Sequence, residues 1–428
     1  MKYTLKNATL LDGTDNMQVR NNMTVWIDGE KIAKVEENGA DMEGSEVIDL
    51  KGAYLMPGLI NMHVHLPASG KAPKSDKPKD YKKLASTLLK YKLAQNVYIN
   101  LEKGLAKTEL YSGVTTLRAV GGLRDFDGRI RDGIKAGKIE GPRILAANTA
   151  VSVPGGHFAG SLATETTSPE TAVADVKMIA ASGADLVKLM ITGGVMDSTE
   201  DGEPGALRMP PEIVRAACDE AHAHGLKVAA HIESPEGVRV ALENGVDTIE
   251  HGAMLTPELV ELFKKRNAAL ICTLSPALPY SLFDLNVSKS SAVGKRNGDI
   301  VFRGIIECAK TCLENGITVG LGTDTGCPFI THYNTWRELH YFKKYLGLSP
   351  EKILHIATLG NARIAGIDNI TGSIETGKAA DIIVSEKNPL DNFANLKQLK
   401  YVFTNGRMIK DPKIKKNEMI DSELDKFM

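Results

Sequence analysis

The chain has 428 residues, of which 43% are hydrophobic and 25% are charged, and its formal net charge at pH 7 is −1. This length suits one large domain with a smaller accessory domain, and the composition is that of a globular protein. A net charge so close to zero gives no electrostatic reason to expect a nucleic acid or an anionic membrane as a partner.

The cysteine pattern and the N-terminal sequence indicate the cellular compartment of the protein. The cysteine count is five, and there is no Cys-x-x-Cys pair, which favours free thiols in a reducing compartment. Cys308 and Cys312 lie four apart in a helical pattern, a spacing that rarely meets disulfide geometry. The start of the chain lacks the apolar core of a signal peptide, and no run reaches the roughly 18 apolar residues of a membrane span. We therefore expect a cytoplasmic protein.

Short strand-like runs occupy both ends of the chain. Residues 1–57 alternate apolar and polar positions between turn signals such as Asp28-Gly29, and the same pattern returns at 380–384 and 401–406. We expect residues 1–57 and 366–410 to form one small discontinuous β-sandwich domain. The charged segment 411–428 is predicted to be a loosely held C-terminal tail.

The middle of the chain, residues 58–365, alternates short apolar runs with helical patterns, which is typical of a parallel α/β sheet. Eight such units favour a (β/α)₈ TIM barrel over an open sheet. The stretch 68–84, rich in Lys, Pro and Ser, is predicted either as a mobile lid or as an exposed insertion. The eight predicted strands are 59–66, 115–120, 143–148, 186–191, 228–232, 248–251, 269–274 and 318–322.

A His-x-His pair, His63 and His65, lies in the first of these strands. Residues two apart in a strand point to the same face, and at the carboxyl end of a barrel strand that face opens into the mouth of the barrel. Two imidazoles side by side suit a borderline metal such as Zn²⁺. The alternative is a pair of buried structural histidines, and the metal is the favoured interpretation.

A second His-x-His pair, His222 and His224, lies in a helical pattern at 213–224. Residues two apart on a helix diverge by about 200° and cannot share a metal. We predict a structural or surface role for this pair.

Lys188 interrupts the apolar run of the fourth predicted strand. A buried lysine needs a partner, and two interpretations stay open. The residues alone favour an ion pair with an acidic group across the barrel mouth. The alternative is a neutral amine, because burial lowers the pKa of lysine, and such an amine can add CO₂ to become a carbamate that bridges two metals.

His231, His251 and Asp324 stand at the ends of the fifth, sixth and eighth predicted strands. Each could be structural by itself. Their shared position, the carboxyl end of a barrel strand, is where chemistry rather than stability is expected. With Lys188 and the pair in the first strand they make a ligand set that can hold two metals and leave a position open for water.

Several pieces of the sequence taken together resemble the amidohydrolase superfamily of metal-dependent hydrolases, and the resemblance covers nearly the whole chain. They are 57–65 (PGLINMHVH), 113–118 (GVTTLR), Lys188, His231, 249–252 (IEHG), 322–324 (GTD) and 372–381 (GSIETGKAAD).

The resemblance implies a hydrolase of carbon–nitrogen bonds with two divalent metals, zinc favoured. The implied ligands are His63, His65 and Asp324 for one metal, His231 and His251 for the other, and a CO₂-derived carbamate on Lys188 as the bridge. Asp324 would also carry the proton from the zinc-bound hydroxide that attacks the amide to the leaving amine.

Within the superfamily, segments 141–143, 155–157 and 188–194 are similar to a branch of imidazolonepropionase-related peptidases that cleave Xaa-Pro or Xaa-Arg dipeptides. The similarity implies a dipeptide or an N-acyl amino acid as the substrate. His157, after the third strand, could bind the scissile carbonyl oxygen or a substrate carboxylate, or be a loop histidine. Glu233 departs from the His-Ala-Tyr or His-Ala-His pattern of the branch, and either favours an amine-bearing substrate or faces solvent.

Two rival functions remain. A cyclic-amide hydrolase, acting on a lactam or imidazolone, would use the same water attack, whereas a deaminase would usually carry Glu at position 234, where this chain has Ser234. A non-catalytic binding protein on a retired barrel is disfavoured, since nothing would preserve the full ligand set. No phosphate-binding or serine-hydrolase motif is present, and the oligomeric state, a homo-oligomer included, stays open.

Overall fold

The computed structural model describes residues 1–15, 17–74, 81–195, 197–198 and 200–428. Part of the predicted loop 68–84, residues 75–80, lies outside the described residues. A helix begins at residue 81, so the last four residues of the predicted loop, 81–84, are helical.

The strands in chain order are β1 (Lys2–Leu11), β2 (Val19–Asp28), β3 (Lys31–Glu37), β4 (Glu46–Asp49), β5 (Tyr54–Pro57), β6 (Leu59–Val64), β7 (Val114–Ala119), β8 (Arg143–Ala146), β9 (Ala150–Ser152), β10 (Ala163–Glu165), β11 (Leu186–Met190), β12 (Lys227–Ile232), β13 (Thr248–His251), β14 (Ala269–Cys272), β15 (Val319–Leu321), β16 (Ile382–Ser385), β17 (Tyr401–Thr404) and β18 (Arg407–Lys410).

The α-helices in chain order are α1 (Tyr81–Lys90), α2 (Lys92–Tyr111), α3 (Phe126–Lys135), α4 (Pro169–Ala181), α5 (Pro211–Ala223), α6 (Pro235–Glu243), α7 (Pro257–Arg266), α8 (Leu278–Leu282), α9 (Leu285–Ser288), α10 (Ala292–Glu314), α11 (Thr335–Leu346), α12 (Pro350–His355), α13 (Asn361–Ala365) and α14 (Glu418–Asp425). A π-helical turn spans Ile356–Gly360, and a 3₁₀ turn spans Phe393–Lys397.

The two ends of the chain meet in one eight-stranded sheet, the terminal sheet. Its order is β18-β17-β16-β5-β1-β2-β3, with β4 paired to β1. Leu5, Leu55, Ile382 and Phe403 are fully buried in one apolar cluster on it. The strands predicted at the two ends therefore share a sheet, as the sequence patterns indicated.

The middle of the chain forms two parallel sheets, ordered β6-β7-β8 and β10-β9-β11-β12-β13-β14-β15. The eight strands predicted for this region are all present, with ends within two residues of the predicted bounds. Hydrogen bonds also join the two sheets to each other at two places. The amide of His65 donates to the carbonyl of Thr325 (2.7 Å), and the amide of Asp185, before β11, donates to the carbonyl of Ala146 in β8 (2.8 Å). The predicted parallel α/β architecture is confirmed.

Four of the helices in this region begin with the same three residue types, Ser or Thr, then Pro, then Glu. The hydroxyl accepts a backbone N–H three residues on, Pro supplies the helical φ without needing a partner for its nitrogen, and Glu lies at the positive end of the helix dipole. The four N-caps are Ser168, Ser234, Thr256 and Ser349.

The C-terminal segment is not the loosely held tail that its charge suggested. Ile420 and Leu424 of α14 are 0% and 3% exposed. Arg337 of α11 reaches Asp421 and Asp425 at 3.3 Å and 2.7 Å. The acidic residues of the segment thus pair with a buried arginine, which sequence periodicity alone does not indicate.

Candidate metal centre

The six predicted ligands come together at the carboxyl ends of five parallel strands. His63 lies in β6, Lys188 in β11, His231 in β12 and His251 at the end of β13, while the other two follow β6 and β15. All six are buried, with exposed fractions of 1% to 7%. We call this set the candidate metal centre; its members are His63, His65, Lys188, His231, His251 and Asp324.

Three members of the centre converge on one point. Nε2 of His63 and Nε2 of His65 lie 3.4 Å and 3.2 Å from Oδ1 of Asp324. Each of the three residues offers one ligand atom, and these atoms lie within 4.8 Å of one another, close enough to bind the same metal ion. The contact joins the first and last of the parallel strands that carry the centre.

The imidazoles form a continuous cluster. The ring centroids of His63 and His251 are 4.8 Å apart, and those of His251 and His231 are 4.7 Å apart. His251 and Asp324 both adopt left-handed backbone angles, with φ of 67° and 55°. Such angles are uncommon for residues other than Gly, although Asn, Asp and His adopt them more readily than other residues do.

In three of the histidines, hydrogen bonds determine which ring nitrogen keeps a lone pair that could bind a metal. Nδ1 of His63 contacts the carboxylate of Glu250 at 2.7 Å, and Nδ1 of His65 contacts the carbonyl of Gly121 at 3.1 Å. These oxygens only accept, so Nδ1 carries the proton and Nε2 keeps its lone pair. In His231 the contact is made by Nε2, with the carbonyl of Gly193 at 3.3 Å, which leaves Nδ1 as its lone-pair nitrogen.

His251 is held by a hydroxyl instead. Its Nδ1 lies 2.7 Å from Oγ1 of Thr273, the residue directly after β14. The ring orientation is therefore set by the neighbouring strand, and Nε2 is directed away from that strand.

Lys188 is fully enclosed, and the ion pair favoured from the residues alone is wrong. Its ammonium makes neither a hydrogen bond nor an ion pair with any residue the structure describes. Burial lowers its pKa to about 8, and the nearby charge of Arg118 acts in the same direction, while Glu250 and Asp324 act against it. The amine of Lys188 therefore loses its proton more easily than that of an exposed lysine.

The protonation states of the other members suit metal binding. Burial lowers the pKa of His63 to about 4 and lowers the pKa values of His231 and His251 well below the ordinary range. Burial by itself would raise the pKa of Asp324, but the adjacent His63 and His65 outweigh it and the net shift is downward. Neutral imidazoles and an ionised carboxylate are the forms that bind divalent cations.

His157 lies beside the centre, as expected for a residue after the third strand. Its ring stacks on that of His231, with centroids 4.2 Å apart and planes 8° apart. Its Nδ1 contacts the carboxylate of Asp197, which also accepts the amide N–H of Gly194 at 3.0 Å. Asp197 was not singled out from the sequence, because it lies in a polar loop with no local signal.

Glu233 is half-buried at the rim of the centre. Its carboxylate accepts the N–H of Val195 at 3.0 Å, and its own N–H donates to Oγ1 of Thr192 at 3.1 Å. Burial raises its pKa to about 8. The side chain therefore anchors the loop after β11 and is not simply directed to solvent.

The helical pair His222 and His224 lies outside the centre. Their side chains are 43% and 41% exposed, and they pair with Asp247 (2.9 Å) and Glu220 (3.0 Å). The surface role predicted for them agrees with this placement.

Among helices in the described ranges, none is both long and apolar enough to cross a lipid bilayer.

The parallel strands carry at their carboxyl ends a buried histidine cluster that could hold a metal ion. The chain belongs to the amidohydrolase family, whose model matches residues 54–409. It is accordingly a hydrolase that acts on carbon–nitrogen bonds.

Individual relatives cover nearly the whole chain. The structure of a proposed prolidase from Bifidobacterium longum is 36% identical, with a TM-score of 0.87 over 99% of this chain and 98% of that one. A Xaa-Pro dipeptidase with bound methionine is 27% identical, with a TM-score of 0.81 over 96% and 100%. Ochratoxinase from Aspergillus niger is 25% identical over 96% of this chain and 88% of its own length.

Proposed function

We propose that the chain is a metal-dependent amidohydrolase that binds two divalent cations, zinc favoured, and hydrolyses the amide bond of a dipeptide or an N-acyl amino acid. The observation that carries the proposal is the buried amine of Lys188. It has no partner among the described residues, and it belongs to a centre where four imidazoles and a carboxylate converge.

The residues present fit such a metal pair. Nζ of Lys188 and Oδ1 of Asp324 are both buried without a hydrogen-bond partner in the described structure. Unpaired buried polar atoms are costly, and an enclosed metal site relieves that cost. Nitrogen and carboxylate donors together match the preferences of Zn²⁺ and also accept Mn²⁺, Co²⁺ or Fe²⁺.

Each member of the centre has a proposed role in holding the metals. The first metal would be held by His63, His65 and Asp324, which already converge. The second would be held by His231 and His251. A carbamate formed from CO₂ on Lys188 would bridge them, and the neutral fraction of its amine is the form that can add CO₂.

When bound, the metals would supply Lewis-acid polarisation of the amide carbonyl and an acidified water. Asp324 would accept the proton of the attacking water and deliver it to the leaving amine, since its pKa is lowered and it is ionised at neutral pH. His157, oriented by Asp197, would hold the carbonyl oxygen or the carboxylate of the substrate.

We also propose that the two parallel sheets are parts of one closed (β/α)₈ barrel over residues 58–365. The hydrogen bonds at both seams between the sheets support closure. The terminal sheet would belong to a β-sandwich domain of residues 1–57 and 366–410, and residues 411–428 form the C-terminal segment docked on α11.

The similarity to a Xaa-Pro dipeptidase supports a linear dipeptide as the substrate class. The test is a screen of the zinc-loaded protein against dipeptides, N-acyl amino acids and lactams, with product analysis by mass spectrometry. Two fragments per turnover are expected. Ring opening, which adds water and releases no second fragment, would replace the proposal by a cyclic-amide hydrolase.

Metal analysis accompanies the screen. About two ions per chain are expected after purification without chelators, and His231→Ala should lower that content. His222→Ala is the matched control, because its imidazole lies outside the centre. Less than about one ion per chain in the wild-type protein would favour a non-catalytic binding protein.

A further inference from the structure

A fully buried ion pair lies directly behind His63. The Nη2 atom of Arg118 contacts both carboxylate oxygens of Glu250, at 2.6 Å and 2.8 Å, and Glu250 contacts Nδ1 of His63 at 2.7 Å. Arg118 and Glu250 are 5% and 0% exposed. Neither residue belongs to the candidate metal centre, although Glu250 contacts one of its members.

Further hydrogen bonds fix the positions of both members of this ion pair. Nε of Arg118 donates to the carbonyl of Met62 at 2.8 Å, and Oγ1 of Thr248 donates to Glu250 at 2.7 Å. These contacts link β6, β7 and β13. The carboxylate therefore has a fixed position relative to the strand that carries His63.

We propose that Glu250, held in place by Arg118, is a positioning residue of the candidate metal centre and acts through His63. Its carboxylate accepts the Nδ1–H of His63, and the Nε2 lone pair is thereby directed at the place where Asp324 and His65 converge. The inference rests on the proposed function, because it requires that His63 binds a metal.

The contact distinguishes His63 from the other histidines of the centre. The Nδ1 atom of His65 contacts a carbonyl and that of His251 contacts a hydroxyl. Among the histidines of the centre in the described structure, only His63 has a carboxylate partner on Nδ1. A carboxylate on the far nitrogen fixes the tautomer and raises the basicity of the imidazole, and loss of such a partner typically weakens metal binding by about 10–100-fold.

A purely structural role is the alternative. Buried ion pairs are weak stabilisers compared with apolar residues of the same volume, and breaking one by removing a single partner is strongly destabilising. Stability and metal affinity must therefore be measured separately.

The experiment is a titration of the metal-free full-length protein with Co²⁺ in a chelator buffer, followed by the visible absorption of bound Co²⁺. Glu250→Gln keeps the shape of the side chain and removes its charge. We expect its Co²⁺ affinity to fall by about 10–100-fold. An affinity within about threefold of wild type would overturn the inference.

The matched control is Glu109→Gln. Glu109 is also 0% exposed and also contacts Nδ1 of a histidine, His332, at 3.1 Å, but that histidine is not part of the centre. We expect this variant to keep the wild-type Co²⁺ affinity. An equal loss in both variants would assign the effect to general disturbance and contradict the inference.

The double variant Arg118→Met with Glu250→Gln keeps the test valid if the single variant folds poorly. It leaves no unpaired buried charge, so the unfolding midpoint of the metal-free protein should recover, while Co²⁺ affinity should stay about 10–100-fold low. Recovery of affinity together with stability would indicate a structural role only. A wild-type protein that binds no Co²⁺ would overturn the proposed function as well, whereas a failure confined to the variants overturns only the role of Glu250.

Discussion

The Nε2 atom of His65 lies 3.2 Å from Oδ1 of Asp324, so the turn after β6 and the turn after β15 meet at a single carboxylate oxygen. The same oxygen is 3.4 Å from Nε2 of His63. Asp324 has a left-handed backbone, at φ of 55°, a conformation that is uncommon for residues other than Gly but that Asp adopts more readily than most. The amide of Asp324 donates to the carbonyl of His63 at 2.9 Å, and this hydrogen bond holds the carboxylate beside the two imidazoles.

The position of Asp324 predicts that Asp324→Asn lowers kcat far more than it weakens metal binding. The amide keeps an oxygen donor of the same reach but cannot accept a proton from the attacking water. A loss of about 10²–10⁴-fold in kcat is the ordinary range for a general base. Steady-state kinetics with metal content measured on the same samples checks this. A fully metallated variant with near-normal kcat would remove Asp324 from the proton-transfer role.

Lys188→Ala is expected to abolish activity, and short carboxylic acids such as acetate or propionate should partly restore it. The truncated side chain leaves room beside the metals, and a free carboxylate can take the place of the carbamate. Activity is measured against acid concentration, together with metal content. Lys227→Ala is the control, because this lysine lies at the opposite, exposed end of the neighbouring strand β12. Failure of rescue with both metals bound would count against the bridging role.

The lowered pKa of Lys188 gives activation a specific pH dependence. Burial brings this pKa to about 8, so the amine becomes neutral as pH rises through about 8, and only the neutral amine adds CO₂. At constant dissolved CO₂, the rate at which the metal-free protein regains activity on adding Zn²⁺ should rise up to about pH 8 and then level off. Fixed-time activity assays at pH values from about 6.5 to 9.5, which lie on both sides of this pKa, measure the rate of reactivation. A rate that is still rising steeply at the upper end would indicate an ordinary, unburied lysine.

Much of the fold could be predicted from local patterns. The parallel strands and the two ends of the terminal sheet are recognisable because apolar runs and turn residues recur at short range. The pair His63 and His65 was separable from His222 and His224 because strand and helix periods place residues two apart on the same or on different faces.

Contacts between distant segments could not be predicted in the same way. Arg118 and Glu250 are charged residues within strands that are buried throughout, and a buried charge needs a partner. Nothing in the sequence says which opposite charge that partner is. The same ambiguity made an ion pair the favoured interpretation for Lys188. Only the packing of the strands shows that Glu250 is already engaged by Arg118 and that Lys188 has no partner in the described structure.

The C-terminal helix provides a prediction on stability. Leu424 of α14 is 3% exposed, and Leu424→Ala should lower the free energy of unfolding by about 2–5 kcal/mol, since it removes buried methyl groups and leaves a cavity. Met419→Ala on the same helix is the control, because Met419 is 50% exposed and its loss should have little effect. Urea unfolding of the metal-free protein measures both variants.

Removing α14 altogether should cost more than the cavity alone. Arg337 is buried and pairs with Asp421 and Asp425, so truncation after residue 410 leaves its charge without these partners. Breaking a buried pair from one side typically costs about 3–5 kcal/mol. Adding Arg337→Met to the truncated chain should recover part of that loss, because the unpaired charge is removed. If the truncated chain were as stable as the full chain, the segment would be a loosely held tail after all, and the ion pairs of Arg337 would contribute nothing to the folded state.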